Sequence, residues 1–139
     1  MRKSAKVIIG VSASVLLLGA FITTPTLAQK HTAGALPDAK VCKDKANPPK
    51  DAVTQGACVI LERTKGNCMA CHAIAGTTAG NIAPPLVAMK QRFPDKAKLR
   101  AQIDNARSLN PKSVMPPYGP HEILTKDEID KVVEFVLTL

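Results

Sequence analysis

The chain has 139 residues, with 19 Lys and Arg against 11 Asp and Glu, four cysteines, no Trp and one Tyr. That length holds one small domain, and so few large aromatic side chains make a weak core for it. A formal charge of +8 without interleaved aromatics argues against a single-strand nucleic-acid binder, which stacks bases on aromatic rings.

Residues 1–28 read as a cleaved signal peptide. Arg2, Lys3 and Lys6 form a basic n-region, Val7 to Ile22 an apolar run, and Thr26-Leu27-Ala28 a small-x-small cleavage site before Gln29. The run is short for an anchor, about 16 residues against about 20 for a span. No Cys stands at the cut, which argues against a lipid anchor, so no membrane anchor is expected after cleavage. Export brings an oxidising compartment in which disulfides persist. Removing Arg2, Lys3 and Lys6 leaves 16 basic against 11 acidic side chains, a charge of +5.

Residues 29–50 hold Gly34, Pro37, Pro48 and Pro49 and sustain no period, so an irregular extension is expected. The domain proper is expected over 51–139. Asp51 to Thr64 reads as a helix with Val53, Ala57, Ile60 and Leu61 on one face. Lys65-Gly66 ends it, with Gly66 as the left-handed stop.

The next residues, Cys68-Met69-Ala70-Cys71-His72, spell the attachment signature of a c-type haem. Two thiols at this spacing reach both vinyl groups of one porphyrin, and the adjacent imidazole of His72 is a normal fifth ligand for iron. A zinc half-site, a redox dithiol and a local disulfide compete. Zinc needs four ligands, and Cys42 and Cys58 form no second Cys-x-x-Cys. No βαβ pattern supports a thioredoxin-like dithiol. One buried, covalently attached haem would also supply the apolar bulk that the composition lacks.

From Ala73 to Pro94, Gly76, Gly80, Pro84 and Pro85 forbid a long regular element. A metal-bound His usually donates its free ring N–H to a carbonyl or carboxylate, and the Pro84 carbonyl is the expected acceptor for His72. Asp95 caps a second helix to Arg107, with Leu99, Ile103 and Ala106 inward. Lys96, Lys98, Arg100 and Arg107 make its other face basic, as a solvated face or a docking patch. Residues 108–124 form a proline-stiffened loop around Met115. Thr125 and Glu128 make a capping box and Leu124 with Ile129 a hydrophobic staple. Ile129, Val132, Val133, Val136 and Leu137 then give the apolar stripe of a last helix, which should pack on the Asp51–Thr64 helix.

Haem iron with one His has a second face to fill. Met115 is the preferred ligand: its stiff loop lies far along the chain from His72, and Met/His ligation raises the potential. His121 is the runner-up. Met89 reads as a core filler, Met69 lies inside the attachment loop, and His31 sits in the extension. Cys42 and Cys58 remain, and an even remainder in an exported protein points to a disulfide. A free buried Cys58 and pairing with a partner are the alternatives.

The helix order, the haem signature and the Met loop resemble a class I c-type cytochrome, an all-α fold packed around one covalent haem. Gly66-Asn67-Cys68-Met69-Ala70-Cys71-His72, Ile82-Ala83-Pro84-Pro85-Leu86, Ser113-Val114-Met115-Pro116-Pro117-Tyr118-Gly119 and Leu124-Thr125 together resemble the SoxX family, small monohaem subunits of the periplasmic sulfur-oxidation complex. The resemblance covers about residues 50–139 and departs at Ala83, where Gly is the broader pattern. It implies that Cys68 and Cys71 hold the haem and that His72 and Met115 ligate iron. It also implies a heterodimer with a SoxA-like haem protein, which carries the reactive haem. That pair joins thiosulfate oxidatively to a cysteine of a sulfur-carrier protein, an L-cysteine S-thiosulfotransferase reaction, and electrons leave to a downstream cytochrome c. No nucleophile or acid–base pair is visible in this chain. Two other readings stay open: a free diffusible c-type electron carrier, and a haem-free, disulfide-stabilised binding module.

Overall fold

Side chains that accept from the unpaired amides of the first turn set where the helices begin. Asp38 accepts from the Lys40 N–H at 2.8 Å, Asp51 from Thr54 at 2.7 Å, and Asp95 from Ala97 at 2.8 Å. The computed structural model describes residues 34–74, 77 and 80–139. The expected signal peptide and His31 lie outside the described residues. Among the described residues the helices are α1 (Ala39–Lys43), α2 (Ala52–Leu61), α3 (Met89–Arg92), α4 (Lys96–Asp104) and α5 (Lys126–Val136). No strand is present among them, only an isolated parallel bridge between Ile74 and Leu86.

The expected capping box opens α5. Thr125 Oγ1 accepts from the Glu128 N–H at 3.2 Å, and the Glu128 carboxylate accepts from the Thr125 N–H at 2.9 Å. Ile129, Val132, Val133 and Val136 are buried as the period requires, and Phe135 joins them fully buried. Leu137, expected on the same stripe, is half-buried at the end of the helix.

α2 packs on α5 in the most extensive helix–helix contact of the chain. Its buried side is turned from the expected one: Thr54, Gly56, Ala57 and Ile60 are buried, while Val53 and Leu61 are half-buried. The reason is Gly56. A Cβ built there would stand 1.9 Å from the Lys131 carbonyl oxygen of α5, so the two backbones cross closely at this point and draw its neighbours inward.

α2 stops at Leu61, short of the expected Thr64. The Glu62 N–H closes it on the Cys58 and Val59 carbonyls, and the Glu62 carboxylate accepts from Thr64. The left-handed residue is Asn67 (φ 46), not Gly66. Gly66 is needed for space: a Cβ there would lie 2.4 Å from the Val59 carbonyl oxygen.

The segment expected to be irregular contains α1. Cys42 of α1 is bonded to Cys58 of α2, with Cα atoms 5.3 Å apart. The Gly34 N–H also donates to Thr138 Oγ1 at 3.3 Å, tying the segment to the end of the chain. Replacing both Cys42 and Cys58 by Ser should lower stability by about 3 kcal/mol, the loop-closure value for a loop of this size. Denaturant midpoints of the oxidised and double-Ser proteins measure it.

α4 buries Leu99 and Ile103 as expected and ends earlier than expected, at Asp104. The Asn105 side chain accepts from the Arg107 N–H at 3.2 Å and starts a separate 3-10 turn, Ala106–Ser108. Such a local bond competes with the helix ladder. The basic face of α4 is largely answered within the chain: Lys96 pairs with Glu134, and Arg100 with Asp130 at 2.6 Å. α3 is one turn within the Gly- and Pro-rich stretch, and it buries Met89.

Candidate functional site

Beyond Asn67 the chain makes one 3-10 turn, Cys68–Ala70. The Cys71 and His72 N–H groups both donate to the Cys68 carbonyl, at 3.1 and 2.9 Å. One tight turn thereby fixes Cys68, Cys71 and His72 relative to one another. Residues 80–86 wrap it: the Gly80 N–H donates to Met69, Ala83 to Cys71 and Leu86 to Ala73, all within 2.9 Å. Gly80 presses so closely that a Cβ would lie 2.2 Å from the Ala70 carbonyl oxygen.

The expected hydrogen bond of His72 is present. His72 Nδ1–H donates to the Pro84 carbonyl at 2.7 Å, because a carbonyl can only accept. That fixes the tautomer and leaves Nε2 with a lone pair for a metal.

Two adjoining cavities, of about 160 and about 540 Å³, meet at these residues, and Cys68, His72, Met115 and Tyr118 line both. The smaller is walled by apolar side chains from α2, α4 and α5, among them Ile60, Leu99 and Val136. Arg92 stands on the smaller, and Arg63, Lys65 and Lys112 on the larger; no Asp or Glu lines either.

Met115 is half-buried, and its N–H donates to Ser113 Oγ at 3.2 Å. His121 is exposed and lines neither cavity. Met89 is buried and lines the smaller cavity, where its sulfur accepts from Arg92 at 3.3 Å. Met69 lines neither and packs against the core.

The donor set and the space fit a haem. An imidazole, a thioether and the Cys68 thiol meet at the apolar smaller cavity, the Cys71 thiol joins them on the larger, more polar one, and the charged side chains of both are cationic, which suits an acidic porphyrin edge. They fit the rival groups less well. Among the described residues no cluster of three or more His, Cys, Asp or Glu could hold a metal, so Cys68 and Cys71 lack the further ligands of a structural zinc. Burial pushes the Cys68 thiol up to about 11, whereas a reactive dithiol needs a lowered value. Haem brings four ring nitrogens, so two protein ligands complete its iron.

Two residues quoted in the Ser113–Gly119 stretch were given no role of their own in the sequence. Tyr118 lines both cavities, and its hydroxyl donates to the Gly66 carbonyl at 2.6 Å. Its signal was weak: the one Tyr of the chain, directly after Pro116 and Pro117. Gly119 lies so close to α4 that a Cβ would meet Asp104 Oδ1 at 2.1 Å.

The family model described as cytochrome c oxidase, cbb3-type, subunit III matches residues 51–136. Among solved structures the chain is similar to "Crystal structure of SoxXA from P. pantotrophus", at 27% identity and a TM-score of 0.55, over 61% of this chain and 79% of that one. No curated protein matches it in sequence.

Proposed function

We propose a function from one premise: the chain belongs to the c-type cytochrome family described as cytochrome c oxidase, cbb3-type, subunit III. It is a SoxX-like cytochrome with a class I cytochrome c fold, and this type of domain carries covalently bound haem c.

In our reading the chain carries one haem, held by Cys68 and Cys71 through thioether bonds and ligated by His72 and Met115. The observation that carries this is the convergence of Cys68, His72 and Met115 on the same two cavities, with His72 aimed by the Pro84 carbonyl. Haem bound there supplies reversible one-electron transfer. The Pro84 carbonyl holds the imidazole in its ligating tautomer, and the Met115 thioether favours the reduced state. His72 and Met115 would both be taken up by the iron and Cys68 and Cys71 by the porphyrin, and Cys42 is bonded to Cys58, so among the described residues no free thiol would remain to form a covalent intermediate with a sulfur anion.

The larger cavity opens between two exposed apolar side chains, Ile82 and Val114, at 72% and 82% exposure. Arg63 and Lys112 stand on the same rim and enter none of the chain's ion pairs among the described residues. Such a mouth suits a partner whose own apolar patch is ringed by carboxylates. The face of α4 is less suited, since Lys96 and Arg100 are already paired.

The protein therefore acts in the periplasm as the electron-accepting subunit of a thiosulfate-oxidising heterodimer. A SoxA-like haem protein provides the reactive site, a sulfur-carrier protein receives the thiosulfate on a cysteine, and a downstream cytochrome c takes the electrons. The SoxXA likeness supports the partner. The test is thiosulfate-dependent reduction of this haem, with and without the partner and the carrier protein. Reduction should require both and should slow as salt rises, because the rim charges are exposed. Rapid reduction of the isolated subunit would overturn the division of labour. No reduction in the full mixture would leave a free diffusible electron carrier as the better reading.

A further inference from the structure

We propose that Tyr118 is a positioning residue that holds the Met115 thioether at its ligating distance by latching the Met115 loop to the haem-attachment loop. The proposal rests on the ligand set of the preceding subsection.

The ring of Tyr118 is 5% exposed, lies between the two cavities, and its hydroxyl donates to the Gly66 carbonyl across 52 positions of sequence. Among the described residues no other residue hydrogen-bonds segment 66–72 to segment 113–118.

Both ends of the latch are fixed. Gly66 is pressed on α2, where the Val59 carbonyl leaves no room for a Cβ. On the other side the Tyr118 carbonyl accepts from the Ile123 and Leu124 N–H groups, at 2.9 and 3.2 Å, and the Gly119 N–H donates to the Asp104 carbonyl of α4 at 3.0 Å. Between Tyr118 and Met115 stand only Pro116 and Pro117, whose φ angles are locked by their rings. A displacement of Tyr118 is therefore passed to Met115 with little slack. Met115's own N–H bond, to Ser113, is local to the same loop and cannot hold the loop against the rest of the molecule.

The hydroxyl is thus worth more to ligation than to folding. Without it the loop keeps its ring packing and its prolines but loses the one polar tie across the crevice. The thioether then competes less well with external ligands for the sixth position.

The test uses the full haem-loaded protein with Tyr118→Phe, which keeps the ring and removes the hydroxyl. Haem should remain covalently attached. Exogenous imidazole should displace the thioether at a concentration about tenfold lower than in the unsubstituted protein, the effect of losing roughly one buried hydrogen bond. The visible charge-transfer band of thioether-ligated ferric haem reports the displacement. Asp38→Ala, which removes the cap of α1, a helix that lines neither cavity, is the control for general loosening. An imidazole midpoint for Tyr118→Phe within twofold of the unsubstituted protein overturns the proposal. So does an equal shift in Asp38→Ala at matched loss of thermal stability, because a merely structural role would produce it. If the unsubstituted ferric protein shows no thioether band, the ligand set itself fails and the latch fails with it. A shift confined to Tyr118→Phe supports the proposal.

Discussion

Gly56→Ala should destabilise the protein by roughly 2–3 kcal/mol, although alanine is the better helix former by about 1 kcal/mol. The added methyl would stand 1.9 Å from the Lys131 carbonyl oxygen, 2.4 Å from its carbon and 2.9 Å from the Val132 nitrogen. All three are backbone atoms of α5, so no side chain can rotate away and the helices must separate. Overpacking a close-packed core costs about 1–3 kcal/mol and sometimes more, and a clash against rigid backbone belongs at the upper end. Ala57, Ile60, Val132 and Val133, each at most 2% exposed, lose contact as α2 moves. Ile60 and Val136 also wall the smaller cavity from these same two helices, so the crevice should widen and haem loading should fall along with stability. Denaturation midpoints and the haem content of the purified variant measure both. A variant as stable as its parent would mean that the helices do not cross this closely.

That crossing marks the limit of what the sequence can say. A glycine inside a helix appears in one dimension only as a cost, and its reason appears when the backbone of α5 lies against it. The same holds for Gly66 and Tyr118, partners across the crevice with 52 positions of sequence between them, and for the basic face of α4, where Lys96 and Arg100 are answered by Glu134 and Asp130. Local chemistry was legible. The Thr125–Glu128 box, the Asp95 cap and the buried Leu99 and Ile103 follow from residues within a few positions of one another. The Cys42–Cys58 bond, though not local, followed from cysteine arithmetic. The His72–Pro84 bond was legible for a chemical reason, since a ligating imidazole must have its other nitrogen satisfied. α1 was not legible: five residues of mixed character become a helix through the Asp38 cap and the disulfide.

Met115→Ala should leave the haem covalently attached and open the sixth coordination position. In the proposed site attachment depends on Cys68 and Cys71, which the substitution leaves alone. Met115 lines both cavities and is half-buried, so truncation removes the proposed ligand and also an apolar wall. Water or an added ligand can then enter, and imidazole and cyanide should bind more readily. The thioether favours the reduced state, and axial ligands as a class set haem potentials over about 0.8 V. Its loss should therefore lower the potential by on the order of 0.1 V, equivalent to about a fiftyfold shift in the reduction equilibrium at about 59 mV per decade. The lowered potential weakens the pull on the partner's electrons, so the variant should also accept them more slowly. A potentiometric titration with visible spectra, repeated in the presence of imidazole, measures the ligation change and the potential change together. Retention of the parent spectrum and potential would remove Met115 from the ligand set. The next candidate would then be Met89, which with His72 lines the smaller cavity, rather than the exposed His121, which lines neither cavity.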